Sequence, residues 1–353
     1  MIAAAAGAVF AIPGDLDAPT GGYAYARRVL AEAPGVGLRL RVLTLPGDFP
    51  HPSATSVDAT AQALAEVAPQ TPILVDGLAF GALPEAALAA VRAPMACLLH
   101  HPLCLEAAGA PEAEALRVRE SAALRHARAV IVTSRATRDD AASLLGLDPA
   151  RATVAEPGLD PVAFSPPVAE DPPLILSVGS LIPRKGFDVL LEALARIGDL
   201  GWRAVLAGSE RDVDCAAALR ARIDAPDLCD RVALRGALDR GGIDALYRRA
   251  ALFCLPSRHE GYGMVFAEAM AHGLPVVAAD IAAAREVIPP AAGLRTPVDD
   301  PAALAEALRA LLADPARRGR MGMAARAHAR GLHGWDETAR RIAAVLSALR
   351  PAP

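Results

Sequence analysis

Lysine is almost absent from this sequence: of 36 lysines and arginines, only Lys185 is a lysine. It stands in IPRKGFD, residues 182–188, directly after an apolar run. Either a compact ammonium is required there, or this is an ordinary solvated basic turn. A large excess of one charge is also missing. The formal net charge is −4, which leaves no footprint for nucleic acid. Residues 1–167 carry 12 arginines against 17 acidic residues, and the remainder 24 basic against 23 acidic, so an anionic ligand meets less repulsion in the second part. The cysteines are few: Cys97, Cys104, Cys215, Cys229 and Cys254. Their odd number and lack of a metal-ligand spacing exclude a disulfide framework and a zinc site, and predict reduced, mostly buried thiols in a cytosolic protein. No basic residue precedes Arg27, and the apolar stretch 2–12 is too short to span a bilayer. It reads as a first buried strand.

At 353 residues and 53% hydrophobic, the chain suits two domains with ample core. Short apolar runs at 38–45, 73–75, 96–99 and 129–132 alternate with alanine-rich helical stretches, the rhythm of a doubly wound parallel sheet. A second series follows at 174–178, 203–207, 232–234 and 251–255. Between the two series, EPGLDPVAFSPP at 156–167 leads into prolines at 166, 167, 172 and 173, as in a stiff linker. The domain boundary is placed after residue 167. Phe187, Leu190, Leu191, Leu194 and Ile197 recur at helical spacing, which puts Arg184 and Lys185 on the preceding strand-to-helix loop. Leu304, Leu308, Leu311 and Leu312 stripe a late helix. Arg117, Arg119, Arg125 and Arg128 fall in one expected helix, diluted by Glu112, Glu114 and Glu120, so it makes no basic membrane anchor.

The most informative stretch is SRHEGYGMVFAEAMAHGLPVVA, residues 257–278. The apolar run 251–255 ends at Pro256, Gly261 and Gly263 make a turn, and residues 264–271 read as a helix stopped by Gly273 and Pro275. A strand resumes at 276–278. In an open α/β sheet, such a strand–glycine turn–helix brings backbone N–H groups and a positive helix end to the ligand crevice. Two carboxylates bracket the turn. On one helix Glu260 and Glu268 would stand about 12 Å apart, wider than the roughly 5–9.5 Å of paired glycosidase carboxylates. The spacing therefore puts Glu260 on the loop and Glu268 on the helix, gripping different parts of one extended ligand. The alternative is a helix-capping Glu260 and a solvated Glu268.

This segment resembles the Glu-x7-Glu signature of retaining glycosyltransferase family 4, the group 1 glycosyltransferases of the GT-B fold. Glu260, Gly261, Gly263, Glu268, Ala269, Gly273 and Pro275 stand where that family's pattern has them. The resemblance covers residues 174–335 closely and the first part in outline. It implies an α/β protein of GT-B architecture, with two Rossmann-like doubly wound domains facing each other across a cleft. An acceptor-side domain would occupy 1–167 and a nucleotide-sugar donor domain 168–335. After Trp335 and Asp336, a last helix at about 336–353 would pack back on the first domain.

The resemblance also assigns roles. The catalytic residues implied are His100, Lys185 and Glu260. The donor-binding set is Gly21, Gly22, Arg184, Lys185, Glu260, Gly261, Gly263, Met264, Val265 and Glu268. Lys185 with a nearby arginine would hold the diphosphate, Glu260 the sugar hydroxyls and Glu268 the ribose. Of the adjacent His100 and His101, His100 better matches the family's strand-end histidine; Glu106 either orients it or is exposed. Gly21 and Gly22 resemble the family's glycine loop. In IVTSRATRDD, residues 131–140, helix capping by Ser134 or Thr137 is the favoured explanation. The loop in LRGALDRGGIDALY, residues 234–247, would lie near the nucleotide base. Arg285 and Glu286 stand either beside the donor or as a surface pair. Three departures stand out: Ser180 where many members carry arginine, with Arg184 as its replacement; Glu156 where an isoleucine-like residue is usual; and Leu159 where valine is usual. The implied reaction retains anomeric configuration. No Asp-x-Asp motif occurs in a metal-binding context, so neither metal nor cofactor is expected. The expected partners are a UDP- or GDP-sugar and an acceptor that is a sugar, lipid or small metabolite. The expected setting is cytoplasmic, with peripheral contact at the inner face of the membrane left open. A non-catalytic nucleotide-sugar binder and a GT-B-type epimerase are the rival classes.

Overall fold

The structure, a computed structural model, describes residues 6–107, 109–162 and 170–349. Phe164, Pro166 and Pro167 of the expected linker lie outside these residues, as do the ends of the first expected strand and the last expected helix. The chain divides into two units, Met1–Gly158 with His333–Pro353, and Leu159–Leu332.

The first unit is built on six parallel strands: β1 (Ala6–Pro13), β2 (Leu38–Leu45), β3 (Ile73–Asp76), β4 (Met95–Leu99), β5 (Ala129–Val132) and β6 (Ala152–Val154). Their order is β2-β1-β3-β4-β5-β6. The register sets Val9 beside Ile73 and Leu98 beside Ile131. The chain leaves β1 for the β2 edge and returns to β3 on the other side, so strand order reverses between β1 and β3. The helices are α1 (Gly21–Glu32), α2 (Ala54–Ala65), the short α3 (Gly77–Phe80) and α4 (Glu85–Ala89), α5 (Ala110–Leu124) and α6 (Arg135–Leu145). Strands β3 and β4 are buried along their whole length, as expected of a parallel sheet covered on both faces. Helix α5 stops at Leu124, so Arg125 and Arg128 lie beyond it, contrary to the sequence expectation.

The second unit repeats the plan with β7 (Leu174–Val178), β8 (Arg203–Ala207), β9 (Val232–Arg235), β10 (Leu252–Leu255), β11 (Val276–Ala279) and β12 (Gly293–Thr296). The order is β12-β11-β10-β7-β8-β9, all parallel. Here the order reverses between β7 and β10. The helices are α7 (Phe187–Ala195), α8 (Val213–Ile223), α9 (Arg240–Arg249), α10 (Met264–Ala271), α11 (Ala282–Val287), α12 (Pro301–Leu312) and α13 (Pro315–Ala329). The buried face of α7 is the expected stripe, Phe187, Leu190, Leu191 and Leu194, and Ile197 is buried just past its end.

Helix α14 (Trp335–Ala348) belongs to the first unit, where it packs on α1. Its start lies so close to Gly158 that a Cβ there would come within 2.2 Å of the Trp335 amide nitrogen. The Trp335 ring meets Tyr25 edge-on at 5.5 Å. All five cysteines are free thiols, but only Cys97 and Cys254 are buried; Cys104 and Cys215 are half-buried and Cys229 exposed. The expectation of mostly buried thiols is corrected accordingly.

Candidate active site

The carboxyl ends of β7 and β10, on either side of the reversal in the second sheet, are where an open α/β sheet places its ligand. The loop after β7 ends in a single 3-10 turn, Pro183–Lys185. Gly186 follows with φ of +67°, and a Cβ on it would come within 2.2 Å of the Pro256 carbonyl oxygen. That close approach needs glycine twice over and brings the loops after β7 and β10 into contact. The Arg258 amide donates to the Arg184 carbonyl at 2.8 Å, and the Arg184 guanidinium donates to the His259 carbonyl at 2.7 Å.

Three charged side chains meet there. The Lys185 ammonium donates to Glu260 Oε1 at 2.6 Å, and Arg184 Nη1 stands 3.5 Å from Oε2. The buried Ser257 hydroxyl donates to Oε1 at 2.7 Å. Burial pushes the Glu260 carboxyl up, but Lys185 and Arg184 more than reverse this and hold it at about 2. The lone lysine is therefore ion-paired beside a carboxylate on the ligand side of the sheet, and the reading of a solvated basic turn does not hold. The cluster sets two cations against one carboxylate.

Gly261 continues this loop, and Gly263 ends it as the N-cap of α10 with φ of +88°. A Cβ at Gly263 would come within 2.4 Å of the Phe266 ring. No side chain caps α10, so the N–H groups of Met264 and Val265 at its first turn have no partner within the helix. Glu268 is half-buried on the same helix. Its Oε2 accepts from the Tyr247 hydroxyl of α9 at 3.2 Å. Burial raises its pKa, opposed by Arg240 and by the Tyr247 hydrogen bond. Glu260 is thus on the loop and Glu268 on the helix; neither the capping nor the solvated alternative describes them.

In the first unit, His100 follows β4, and its Nε2 lies 3.4 Å from Oδ2 of Asp76 at the end of β3. Asp76 is buried, and its Oδ1 accepts from the Leu78 amide at 2.9 Å. Glu106 is half-buried and pairs with His101 at 2.9 Å, so neither of the two readings open for it, orienting His100 or standing exposed, describes it; the carboxylate near His100 is Asp76. The His100 ring packs edge-on against Tyr25 at 5.4 Å. Gly21 and Gly22 form the first turn of α1, and a Cβ on Gly22 would lie 3.5 Å from the His100 ring. Ser134 caps α6 by accepting from the Thr137 amide at 2.8 Å. The Thr133 and Thr137 hydroxyls also donate to the His100 carbonyl, at 3.1 and 3.2 Å, so this turn fixes the histidine's backbone as well. Among the described residues, no group of three or more His, Cys, Asp or Glu side chains is placed to hold a metal ion.

Residues 162–328 match the family of glycosyl transferases group 1, and residues 6–158 match the glycosyl transferase 4-like domain. The chain belongs to the group 1 glycosyltransferases. The D-inositol 3-phosphate glycosyltransferase of Xylanimonas cellulosilytica is 34% identical over 246 residues, 65% of this chain and 59% of that protein. The match thus spans less than two thirds of that relative's length. Sucrose-phosphate synthase from Thermosynechococcus elongatus superposes with a TM-score of 0.79 at 21% identity, covering 97% of this chain and 99% of that one. Anabaena HepE in complex with UDP and glucose superposes with a TM-score of 0.75 at 20% identity, over 96% and 99%. These likenesses establish the GT-B fold.

For a group 1 glycosyltransferase, two of the departures from the family pattern have local reasons. Ser180 shares a hydrogen bond with Ser209 at 3.1 Å. Glu156 ties α14 to its own unit: its carbonyl accepts from Thr338 at 2.7 Å, and its carboxylate pairs with Arg341 and lies 3.6 Å from His333. Burial pushes that carboxyl up, but His333 and Arg341 outweigh burial and hold it at about 2. Leu159 packs against the second unit's core. Arg285 pairs with Asp280 at 2.8 Å on an exposed face. Asp76, Tyr247 and Ser257 also touch the site side chains His100, Glu268 and Glu260 in turn, and no sequence motif quoted above assigns them a role. Asp76 had a signal, a carboxylate closing the apolar run ILVD at a strand's carboxyl end. Among the described residues, no helix is long and apolar enough to cross a membrane.

Proposed function

We propose that this chain moves a sugar from a UDP- or GDP-linked donor to an acceptor hydroxyl, with retention at the anomeric carbon and without a metal ion. The observation that carries this reading is the Lys185–Glu260–Arg184 cluster beside the uncapped end of α10, at the reversal point of the second sheet. Its two cationic side chains and the adjacent helix N-terminus suit a diphosphate. Lys185, Arg184 and the N–H groups around Gly263, Met264 and Val265 bind that diphosphate and stabilise its charge as the sugar leaves. Preorganised donors of this kind lower the barrier by about 2.7–4 kcal/mol each. Glu260, kept ionised, accepts from sugar hydroxyls, and Glu268 accepts from the ribose. His100 contacts the sugar, and Gly21 and Gly22 leave room for the ligand's approach at the start of α1.

The reaction follows a front-face course. The bond from the anomeric carbon to the phosphate oxygen breaks as the bond to the acceptor oxygen forms on the same face. The departing phosphate oxygen takes the acceptor's proton. The first unit selects the acceptor, and the inositol phosphate in the relative's name makes phosphorylated polyols the first class to try. A cytoplasmic setting fits the five free thiols.

The test is a transfer assay with UDP- and GDP-sugars against inositol phosphates, free sugars and lipid polyols, in EDTA and in Mg²⁺. The expected result is release of nucleoside diphosphate only when an acceptor is present, with an α-linked product from an α-linked donor. An isomerised donor without acceptor would make the protein an epimerase. Donor binding without turnover on any acceptor would make it a binding protein.

A further inference from the structure

We infer that Tyr247 is a positioning residue for nucleotide binding, its hydroxyl fixing one oxygen of Glu268 so that the other faces the ribose. This inference rests on the ribose role proposed for Glu268. Tyr247 is buried, and its hydroxyl reaches Glu268 Oε2 at 3.2 Å and the Val265 carbonyl at 3.4 Å. The hydroxyl has one proton, and the carboxylate oxygen is the nearer and stronger acceptor. Glu268 Oε1 has no hydrogen bond to any described residue. The phenol ring is itself held by a near-parallel stack on His272, with centroids 4.9 Å apart and planes 15° apart.

The charges around this carboxylate are arranged to leave it an acceptor. Arg240, the nearby cation, engages Asp244 at 3.2 Å and Asp160 at 3.4 Å, and stabilises Glu268 only from a distance. Asp244 and Asp160 themselves disfavour ionised Glu268. His272, 3.6 Å from Asp244, is held below its ordinary pKa by burial, with Asp244 opposing. A direct guanidinium–carboxylate pair would compete with the ribose diol for the same oxygens. A phenol occupies one oxygen only, and is the last hydrogen-bond donor favouring the charged form.

The experiment is calorimetric titration of UDP- and GDP-sugars into the full chain from pH 5 to 8, with Tyr247→Phe, Glu268→Gln and the double variant alongside. The diphosphate of these ligands is esterified at both ends and so lacks the ionisation of a terminal phosphate at about pH 6. Affinity should fall on the acid side as Glu268 takes up a proton. Tyr247→Phe keeps the ring and its stack, and should move that acid limb upward by about half to one pH unit, since one hydrogen bond to the ionised form is lost. Glu268→Gln should abolish the limb, and Tyr247→Phe should then add nothing to it. An equal loss of affinity at every pH in Tyr247→Phe would overturn the positioning role while leaving the ribose role intact. A limb that survives in Glu268→Gln belongs to His272 and also overturns the inference. Unchanged affinity in Glu268→Gln throughout would overturn the ribose role itself.

Discussion

Removing the only lysine should have two separable consequences. In Lys185→Ala, Glu260 loses its 2.6 Å partner and keeps Arg184 at 3.5 Å and Ser257 at 2.7 Å. The drop of the Glu260 carboxyl from 4.5 to about 2 corresponds to about 3 kcal/mol at 1.36 kcal/mol per unit. Lys185 supplies the largest stabilising share, so the variant should lose about 1–2 kcal/mol at pH 7. That lowers melting by about 2–8 °C for a unit of this size. The pH dependence has a definite sign. A depressed carboxyl contributes stability above its ordinary value of 4.5, and that contribution is lost as pH falls through about 2. Wild type and variant should therefore differ most at neutral pH and converge between pH 4.5 and 2. The second consequence is functional. The cluster's charge falls from plus one to zero, and with one diphosphate donor gone, turnover should fall by about 10²–10³-fold. Melting curves at pH 7 and 3, with donor titrations, measure both. Unchanged melting would refute the electrostatic reasoning, and wild-type turnover would remove Lys185 from the phosphate site.

Three further outcomes follow from the same geometry. Glu260→Gln raises the local charge to plus two. A phosphate touching Lys185 would lie within about 5 Å of residue 260, so UDP or GDP should bind about 1–3 kcal/mol more tightly while turnover falls; weaker binding in calorimetry would contradict this. His100→Ala removes one contact to the sugar and should lower kcat by about 10²-fold with nucleotide affinity almost unchanged, and a large loss of UDP or GDP affinity in the same titration would place His100 elsewhere in the mechanism. Glu120, buried on α5 with one oxygen accepting from the Leu103 amide at 2.8 Å, is pushed by burial up to about 8. Its protonated form suits the fold, so its stability contribution is complete below 4.5 and is lost as pH rises through about 8. Glu120→Gln should melt higher than wild type at pH 8 and equal to it near pH 4.5, by about 1.4 kcal/mol per pH unit between those limits; melts that track wild type at every pH would show that Glu120 stays charged.

The strand–turn–helix holding Glu260 and Glu268 was legible because each signal is local. An apolar run ends at Leu255, glycine stands where φ is positive at Gly263, and Gly273 stops the helix. Strands β6 and β12 were not legible. Both are short sheet edges, ATV and GLRT, without the continuous apolar run that burial on two faces imposes. Pairings distant in sequence were also hidden. Proximity along the chain offers Glu106 as one candidate neighbour of His100, whereas β3 and β4 lie side by side and deliver Asp76. Glu120 and Tyr247 look like ordinary helix residues in sequence. Only packing shows that one is a buried acid and that the other touches the Glu268 carboxylate.

The most direct test of the nucleotide-sugar reading is a thermal-shift panel of UDP, GDP, ADP and their common sugar conjugates, with and without Mg²⁺, on wild type and Lys185→Ala. A ligand at about 100 times its dissociation constant stabilises the fold by roughly 2.7 kcal/mol. A clear shift with UDP or GDP compounds in the absence of metal, much reduced in Lys185→Ala, is the predicted result. No shift with any nucleotide, or an equal shift in the variant, would contradict a donor held at the Lys185–Glu260 cluster.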